Sequence, residues 1–307
     1  MSNEHPATSQ VDSQQAVGDG GRPAEAKRAG LIVVPLDGSR EAKDALPAAK
    51  LAARIAGAHV LVVQAVEREL PALELLQCMG LRPEETQGFI VDQIVGPAAE
   101  AIVSLARDRN AILIAMTTRG RTAYQGRTVR PVVETVIQNA PCPVLLVRPE
   151  IDQKVASMTG VRRMLLPLDG APSSAAVIGP ALDLAERSHA EVDVLYVATR
   201  AARPAEPGAL AAPLYVDQPQ YEWPSWAREF VTRFGTCLGQ RPLPTPTRFF
   251  LRHGDPATEI LDLARARDAD LIVLEWRGKL DPRHASVVKG VLSDAPCPVL
   301  LIQTGQS

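Results

Sequence analysis

Length, composition and charge exclude several classes of protein. The chain has 307 residues, 46% of them hydrophobic, and its formal net charge is −2. This length suggests about two domains, each able to bury a core. The chain lacks the basic excess typical of nucleic-acid-binding proteins, and aromatic residues, on which bases stack, make up only 4% of it. No apolar run reaches the roughly 18 residues that span a membrane. We therefore predict neither a nucleic-acid partner nor a membrane partner.

The N-terminal segment and the cysteines together predict a cytoplasmic protein. Residues 1–28 are polar and contain no apolar stretch, so we interpret them as a disordered tail and not as a secretory signal. The cysteines are Cys78, Cys142, Cys237 and Cys297, and no two of them form a C-x-x-C pair. This spacing favours reduced, packed thiols over a zinc site or a disulfide framework.

Short apolar runs alternate with stretches of helical periodicity along the chain. The runs are rich in Val, Ile and Leu, which is typical of buried parallel strands. Residues 99–106 place apolar side chains at positions i, i+3, i+4 and i+7, and residues 257–264 repeat this spacing. Such alternation predicts an α/β fold with doubly wound parallel sheets and helices on both faces. The predicted strands are, in chain order, Leu31–Leu36, Val60–Val63, Phe89–Val95, Ala111–Met116, Val144–Val147, Met164–Leu168, Val192–Val197, Arg248–Arg252, Leu271–Leu274 and Val299–Ile302.

An internal repeat determines the predicted domain organisation. Residues 31–38 resemble residues 163–170, and the run Ala-Pro-Cys-Pro-Val-Leu-Leu begins at both Ala140 and Ala295. Two shorter matches, around a Gly-x-Pro-Ala turn and an Arg-Gly pair, lie between them in the same order. We call the two repeats copy one and copy two. The predicted regions are the tail at 1–28, domain 1 at 29–150, domain 2 at 160–307, and within domain 2 a Pro-rich insertion at about 198–247.

The insertion lies in a segment of about fifty residues, whereas the equivalent segment of copy one, between Val63 and Phe89, has about twenty-five. It is rich in Pro and Ala and contains Trp223 and Trp226. We interpret it as a covering loop that these two tryptophans anchor. The alternatives are a lid, a cover for the other domain and a partially ordered loop.

Two loops of each copy are predicted to meet where the strand order reverses. Ligands of doubly wound sheets bind there, beyond the carboxyl ends of the strands. One loop follows the first strand and carries an aspartate, which either accepts hydrogen bonds from a nucleoside or simply caps the next helix. The other follows the fourth strand and carries glycine and cations, which either hold phosphates or form a solvated basic loop. The candidate residues are Asp37, Gly38, Ser39, Gly120, Arg121 and Arg130 in copy one, and Asp169, Gly170, Gly278 and Lys279 in copy two.

These segments together resemble the universal stress protein family. The resemblance rests on the strand ending in Val-Pro-Leu-Asp-Gly-Ser, the Gly-x-Pro-Ala turn and the closing run Ala-Pro-Cys-Pro-Val-Leu-Leu-Val, and it covers both copies. It implies a five-stranded parallel sheet per domain, of the Rossmann-like, adenine nucleotide alpha hydrolase-like type. It also implies that the two copies pair through their last strands as a pseudo-dimer. A homodimer and an unidentified protein partner remain open.

The resemblance further implies an adenine nucleotide, such as ATP with Mg, as ligand. Family members that bind ATP carry a Gly-x-x-Gly run, followed further along by Gly-Ser or Gly-Thr. In copy one, Thr117 takes the place of the first Gly, Gly120 matches the second, and Arg130-Pro131 replaces Gly-Ser. Pro131 has no N–H to offer a phosphate.

Copy two departs from the same pattern in another way. Glu275 takes the place of the first Gly and brings a negative charge toward the phosphates, whereas Gly278 is retained. Ala285-Ser286 stands for Gly-Ser, but at a shorter spacing, so Ser286 joins the candidate residues.

Two functions remain open, and both belong to a protein that is not an enzyme. The first is a stress-response or signalling module that binds a nucleotide, and the second is a nucleotide-free scaffold of the same fold. The five histidines are scattered and no Ser-His-Asp set is evident. Asp37-Gly38-Ser39 also differs from the loop of the related ATP-pyrophosphatases. We therefore predict no catalytic residues and no metal ligands.

Overall fold

The computed structural model describes residues 29–118, 131–169, 175–198, 234–235, 246–276 and 282–304. The strands in these ranges are β1 (Leu31–Pro35), β2 (His59–Val66), β3 (Ile90–Val95), β4 (Leu113–Thr117), β5 (Val144–Val147), β6 (Arg163–Leu168), β7 (Glu191–Ala198), β8 (Thr247–His253), β9 (Leu271–Trp276) and β10 (Val299–Gln303). The helices are α1 (Ala45–Ala56), α2 (Ala72–Met79), α3 (Ala98–Asp108), α4 (Pro131–Asn139), α5 (Asp152–Ser157), α6 (Ala175–Ser188), α7 (Pro256–Ala266) and α8 (Pro282–Asp294). None of the helices in the described ranges has the length and hydropathy of a transmembrane segment.

One ten-stranded sheet runs through both copies. Its strand order is β3-β2-β1-β4-β5-β10-β9-β6-β7-β8. Neighbouring strands are parallel within each copy. At the junction of the copies β5 and β10 are antiparallel, with Leu145 opposite Leu300. The strand order reverses between β1 and β4 and again between β6 and β9, so the predicted doubly wound α/β class is confirmed.

Two layers of helices cover the faces of the sheet. Side chains of α1, α2, α5 and α6 pack into the core on one face, and those of α3, α4, α7 and α8 pack into the core on the other. The predicted apolar stripe of α3 is confirmed, because Ile102 and Ala106 are buried against the sheet. Within each copy the carboxyl ends of the central strands, where ligands of such sheets bind, lie at one edge of the sheet. Because β5 and β10 are antiparallel, this is the opposite edge in the two copies.

Side-chain contacts also join the two copies. Lys289 Nζ of α8 lies 3.5 Å from Glu134 Oε1 of α4, and Arg148 Nη1 donates to the Ala295 carbonyl over 3.2 Å. The connecting helix α5 inserts Val155, which is 1% exposed, into the core beside α1. Exposed ion pairs contribute little stability. The pairing of β5 with β10 contributes more, since it closes two strand edges that would otherwise stay open.

The described part of the insertion is short. Trp223 and Trp226, the predicted anchors, lie outside the described residues, as does the predicted tail. Phe234 is 1% exposed and packs edge-to-face on Phe249 of β8, with ring centroids 5.1 Å apart. Such aromatic pairs contribute beyond the area they bury. The insertion is therefore attached to the sheet through Phe234, which sequence analysis did not single out.

Candidate functional site

Part of the predicted site lies where strand order reverses in copy one. Asp37, Gly38 and Ser39 follow β1 after one residue, Leu36, and Thr117 ends the neighbouring strand β4. The register pairs Val33 with Ile114, and three residues further along both strands this places Leu36 beside Thr117. We call the space at the carboxyl ends of β1 and β4 the copy-one crevice. The other candidates of this copy, Gly120, Arg121 and Arg130, lie outside the described residues.

Copy two contains the equivalent crevice at the carboxyl ends of β6 and β9. Asp169 follows β6 directly and is partly exposed. Ser286 is exposed on α8, four residues after its first residue Pro282, and not in a loop before the helix. The candidates Gly170, Gly278 and Lys279 lie outside the described residues.

Gly38 is required by the packing of α2 against the loop after β1. Its φ is +80°, in the left-handed region that favours glycine, and an added Cβ would clash with the carbonyl oxygen of Cys78. Lys43 Nζ donates to the carbonyl of Gly80, just past the end of α2, over 2.8 Å. The last turn of α2 therefore rests on the edge of the copy-one crevice. Sequence analysis missed this contact, because no motif links Cys78 to Gly38.

Asp37 and Ser39 stabilise their own loop. The Ser39 amide donates to Asp37 Oδ1 over 3.0 Å, and the Ser39 hydroxyl donates to the same oxygen. The Ala42 amide in turn donates to Ser39 Oγ over 3.1 Å. These are the hydrogen bonds of a turn and a helix cap. The interpretation of Asp37 as a capping residue therefore holds for its Oδ1 atom. Because Asp37 remains partly exposed at the mouth of the crevice, its role as cap is compatible with contact to a ligand.

The copy-two crevice carries an additional acidic group. Glu275 is 6% exposed, and the Thr304 hydroxyl donates to its Oε1 over 2.7 Å. In the repeat, Glu275 replaces Thr117 and Thr304 replaces Pro149. Sequence analysis identified Glu275 but not its partner. The paired change of both positions between the copies is the signal that would have found Thr304.

Two of the described cysteines, Cys142 and Cys297, are buried and poorly nucleophilic. Burial raises the pKa of the Cys142 thiol to about 12 and, with the same leading cause, that of Cys297 to about 12. The interpretation of these two as packed thiols is confirmed by their burial, whereas Cys78 is exposed. No group of three or more potential metal ligands occurs within the described ranges.

We expect thiol-alkylating reagents at pH 8 to modify Cys78 quickly and to leave Cys142 and Cys297 unmodified in the folded protein. The two buried thiols stay protonated far above neutral pH, and the thiolate is the reactive species. Mass spectrometry of tryptic peptides after timed alkylation checks this.

The same raised pKa values predict how stability depends on pH. An unfolded thiol ionises near pH 8.5, whereas the two buried thiols ionise near 12. The stability that the two buried, protonated thiols contribute to the folded state is therefore fully present below about pH 8.5. It is lost as the pH rises toward 12. Rapid alkylation of Cys142 at pH 8 in the folded protein would contradict the raised pKa of this thiol.

The class of protein follows from this arrangement, a doubly wound α/β repeat with a crevice at the reversal of strand order in each copy. The sequence model of the Universal stress protein family matches residues 81–148 and 160–303. The chain belongs to the universal stress protein family.

Individual relatives agree with this assignment. A universal stress protein from Thermus aquaticus, described by its position in the QAH/OAS sulfhydrylase 3' region, is 35% identical over 135 residues, which cover 38% of this chain and 97% of that protein. A universal stress protein structure from Archaeoglobus fulgidus DSM 4304 covers 91% of this chain and 100% of its own, with a TM-score of 0.62 and 17% identity. A functionally unknown protein from Pseudomonas aeruginosa PAO1 covers 90% of this chain and 93% of its own, with a TM-score of 0.60 and 16% identity. The two structures are similar in fold.

Proposed function

We propose that this chain is a cytoplasmic stress-response module that binds an adenine nucleotide, such as ATP with Mg, at the carboxyl ends of its parallel strands and acts through a protein partner. It carries out no catalysis of its own. The observation that supports this proposal is the position of the Asp37 loop beside the end of β4, at the reversal of strand order. This is where doubly wound sheets bind nucleotides.

The pairing of β5 with β10 supports a second part of the proposal. In solution the two copies act as one intramolecular dimer, because each covers the strand edge of the other. The crevices of the two copies then stay at a fixed distance within one sheet. A nucleotide bound in one copy can then change a surface that both copies form and that a protein partner contacts.

The proposal predicts that a large excess of Mg-ATP raises the thermal unfolding midpoint. A ligand at about 100 times its Kd adds roughly 2.7 kcal/mol, which corresponds to about 5 °C for a chain of this size. Asp37→Ala should remove the increase, because it deletes the acceptor at the mouth of the copy-one crevice. Asp169→Ala is the matched control in the other repeat and reports which copy binds. An unchanged midpoint at millimolar Mg-ATP would contradict nucleotide binding.

A nucleotide-free scaffold is the second candidate function. It is favoured by one observation, the hydrogen bonds of Ser39 to Asp37 Oδ1 and of Ala42 to Ser39, which stabilise the loop without a ligand. In that case Asp37→Ala lowers the midpoint equally with and without Mg-ATP, since the aspartate is then a turn residue alone.

A further inference from the structure

We infer that the outer side of β3 is a dimer interface, at which this strand pairs antiparallel with β3 of a second copy of the chain. Strands β3 and β8 are the two outermost strands of the sheet. We call the side of β3 that faces away from β2 the β3 edge. The backbone groups along such an edge offer hydrogen bonds to a further strand. Nucleotide binding is not needed for this pairing, because the crevices lie at β1 and β4 and at β6 and β9.

Two large apolar side chains are exposed on β3. Ile90 is 50% exposed and Val95 is 55% exposed. Val95 shares a face of the strand with Val91, which packs against the core beneath α1 and α2. Ile90 shares the other face with Ile94, which packs against the core beneath α3. Exposed apolar side chains on an outermost strand are typical of a strand that pairs with another chain.

The opposite side of the sheet carries charged and polar residues at the same positions. The register of the two copies places Arg248 of β8 where copy one has Ile90, and it places His253 where copy one has Val95. Both Arg248 and His253 are exposed. Charged side chains on an outermost strand oppose pairing with another chain. The two copies therefore differ at the positions that decide whether an outermost strand accepts a neighbour.

The backbone of β3 presents alternate residues to the β3 edge. The Gly96 amide, directly after β3, donates to a carbonyl of β2 over 3.0 Å. Because backbone groups alternate in direction along a strand, those of Val91, Gln93 and Val95 point to the β3 edge. The Gln93 amide agrees with this direction, since it donates to the side chain of Asp92 over 2.8 Å and not to β2.

One antiparallel register satisfies these groups symmetrically. In this register Gln93 opposes Gln93 of the second chain, and Val91 opposes Val95 of the second chain. Residues that oppose each other in this way exchange both of their backbone hydrogen bonds, and their side chains lie on the same face. Val95 then gains an apolar neighbour, and Ile90 lies diagonally across from Ile94 of the second chain.

The acidic residue of β3 is compatible with this register. Asp92 opposes Ile94 of the second chain, so no two carboxylates face each other directly. Its Oδ2 lies 3.5 Å from Arg109 Nη2, on the face of α3, and this ion pair is retained. Only the bond from the Gln93 amide to Asp92 Oδ1 is exchanged for a bond between the chains.

A second β3 fits the β3 edge better than β8 of another chain does. Pairing with β8 would bring Arg248 and His253 to an apolar edge, and it would continue from chain to chain as an open assembly. Pairing of β3 with β3 closes after two chains. The chain already uses antiparallel pairing of outer strands to join its own two copies, at β5 and β10.

Analytical ultracentrifugation of the full chain over a range of concentrations tests the pairing. The wild-type chain is expected to sediment as a dimer that dissociates on dilution. Ile90→Arg combined with Val95→His gives β3 the residues of the other outermost strand. It is expected to raise the dissociation constant of the dimer at least about tenfold, because each lost apolar contact occurs twice at a two-fold interface.

Two proline variants give a matched control. Val95→Pro removes an outward N–H from β3 and leaves the hydrogen bonds to β2 in place, and proline is tolerated on outermost strands in this orientation. It is expected to weaken the dimer by at least about tenfold. His253→Pro makes the same change at the equivalent position of β8 and should leave the dimer unchanged. The unfolding midpoint of each variant confirms that it folds.

Disulfide trapping tests the register. Gln93→Cys in a Cys78→Ser background places two thiols at the two-fold axis with Cα atoms about 5.5 Å apart, so oxidation is expected to link the two chains. A wild-type chain that stays monomeric at every concentration would overturn the inference. A dimer that withstands both Val95→Pro and the Ile90→Arg, Val95→His double variant would also overturn it, because its interface would lie elsewhere.

Discussion

Replacing Arg267 with methionine is expected to lower the unfolding midpoint by about 5 °C or more, because it leaves a buried carboxylate without its nearest cation. Asp193 lies on β7 and is 0% exposed, and Arg267 Nε donates to its Oδ2 over 2.9 Å. This contact raises the pKa of Arg267, first through the hydrogen bond and then through the charge of Asp193. A buried charge that loses its partner is far more destabilising than a lost surface ion pair.

Neighbouring cations replace Arg267 poorly. Arg163 Nε lies 3.8 Å from Asp193 Oδ2, while its Nη2 donates to Glu191 over 3.2 Å. Hydrogen bonds from Arg163 and Arg248 hold the pKa of the Glu191 carboxyl below its usual range. Arg163 is therefore already committed to Glu191, and Arg267 remains the closest partner of Asp193.

Copy one supplies the control for this prediction. Its register pairs Val33 with Leu61, and copy two pairs Leu165 with Asp193, so Asp193 takes the place of a core leucine. Asp193→Leu combined with Arg267→Met should recover most of the stability, since an apolar pair replaces the ion pair. Differential scanning calorimetry of both single variants and the double variant measures the coupling. A double variant as unstable as Arg267→Met would contradict this account.

The variant Gly38→Ala is expected to destabilise the protein by about 3 kcal/mol and to weaken nucleotide binding in the copy-one crevice. The left-handed φ alone costs about 1 kcal/mol for a residue with a Cβ. The remainder comes from the contact with the Cys78 carbonyl, which belongs to the backbone and cannot move as a side chain can. Relief of that contact shifts α2 or the Asp37 loop.

Gly57 is a control that separates the cost of the contact with Cys78 from the cost of the left-handed φ. It ends α1 with φ of +63°, and an added Cβ there would meet nothing within 4 Å. Gly57→Ala should therefore cost only about 1 kcal/mol and leave nucleotide binding unchanged. Urea denaturation of both variants gives the two free energies of unfolding. Equal losses for Gly38→Ala and Gly57→Ala would mean that α2 does not constrain the loop.

The sequence predicts the fold well because the repeat and the apolar runs act locally. Runs such as Val60–Val63 are buried on both faces of the sheet, and β2 extends beyond that run at both ends, since His59 and Val66 pair with neighbouring strands although they are less buried. With right-handed crossovers, helices on both faces of an open parallel sheet require a reversal of strand order. These features need no knowledge of distant contacts.

The details of the candidate site depend on contacts that no local pattern encodes. The packing of Cys78 on Gly38 joins residues from different elements, and the Glu275–Thr304 hydrogen bond joins β9 to the residue that follows β10. The Asp193–Arg267 pair joins β7 to the end of α7, which are 74 residues apart in sequence. The sequence predicted where the crevices lie and that copy two carries Glu275, whereas the boundary by α2 and the partner Thr304 required the three-dimensional arrangement.

Photoaffinity labelling with azido-ATP, followed by peptide mapping, tests the central claim most directly. The account predicts label on peptides that contain Asp37 or Thr117, and it predicts that unlabelled ATP competes for this label. Label that ATP displaces only from other peptides, or no displaceable label at all, would contradict a nucleotide site in the copy-one crevice.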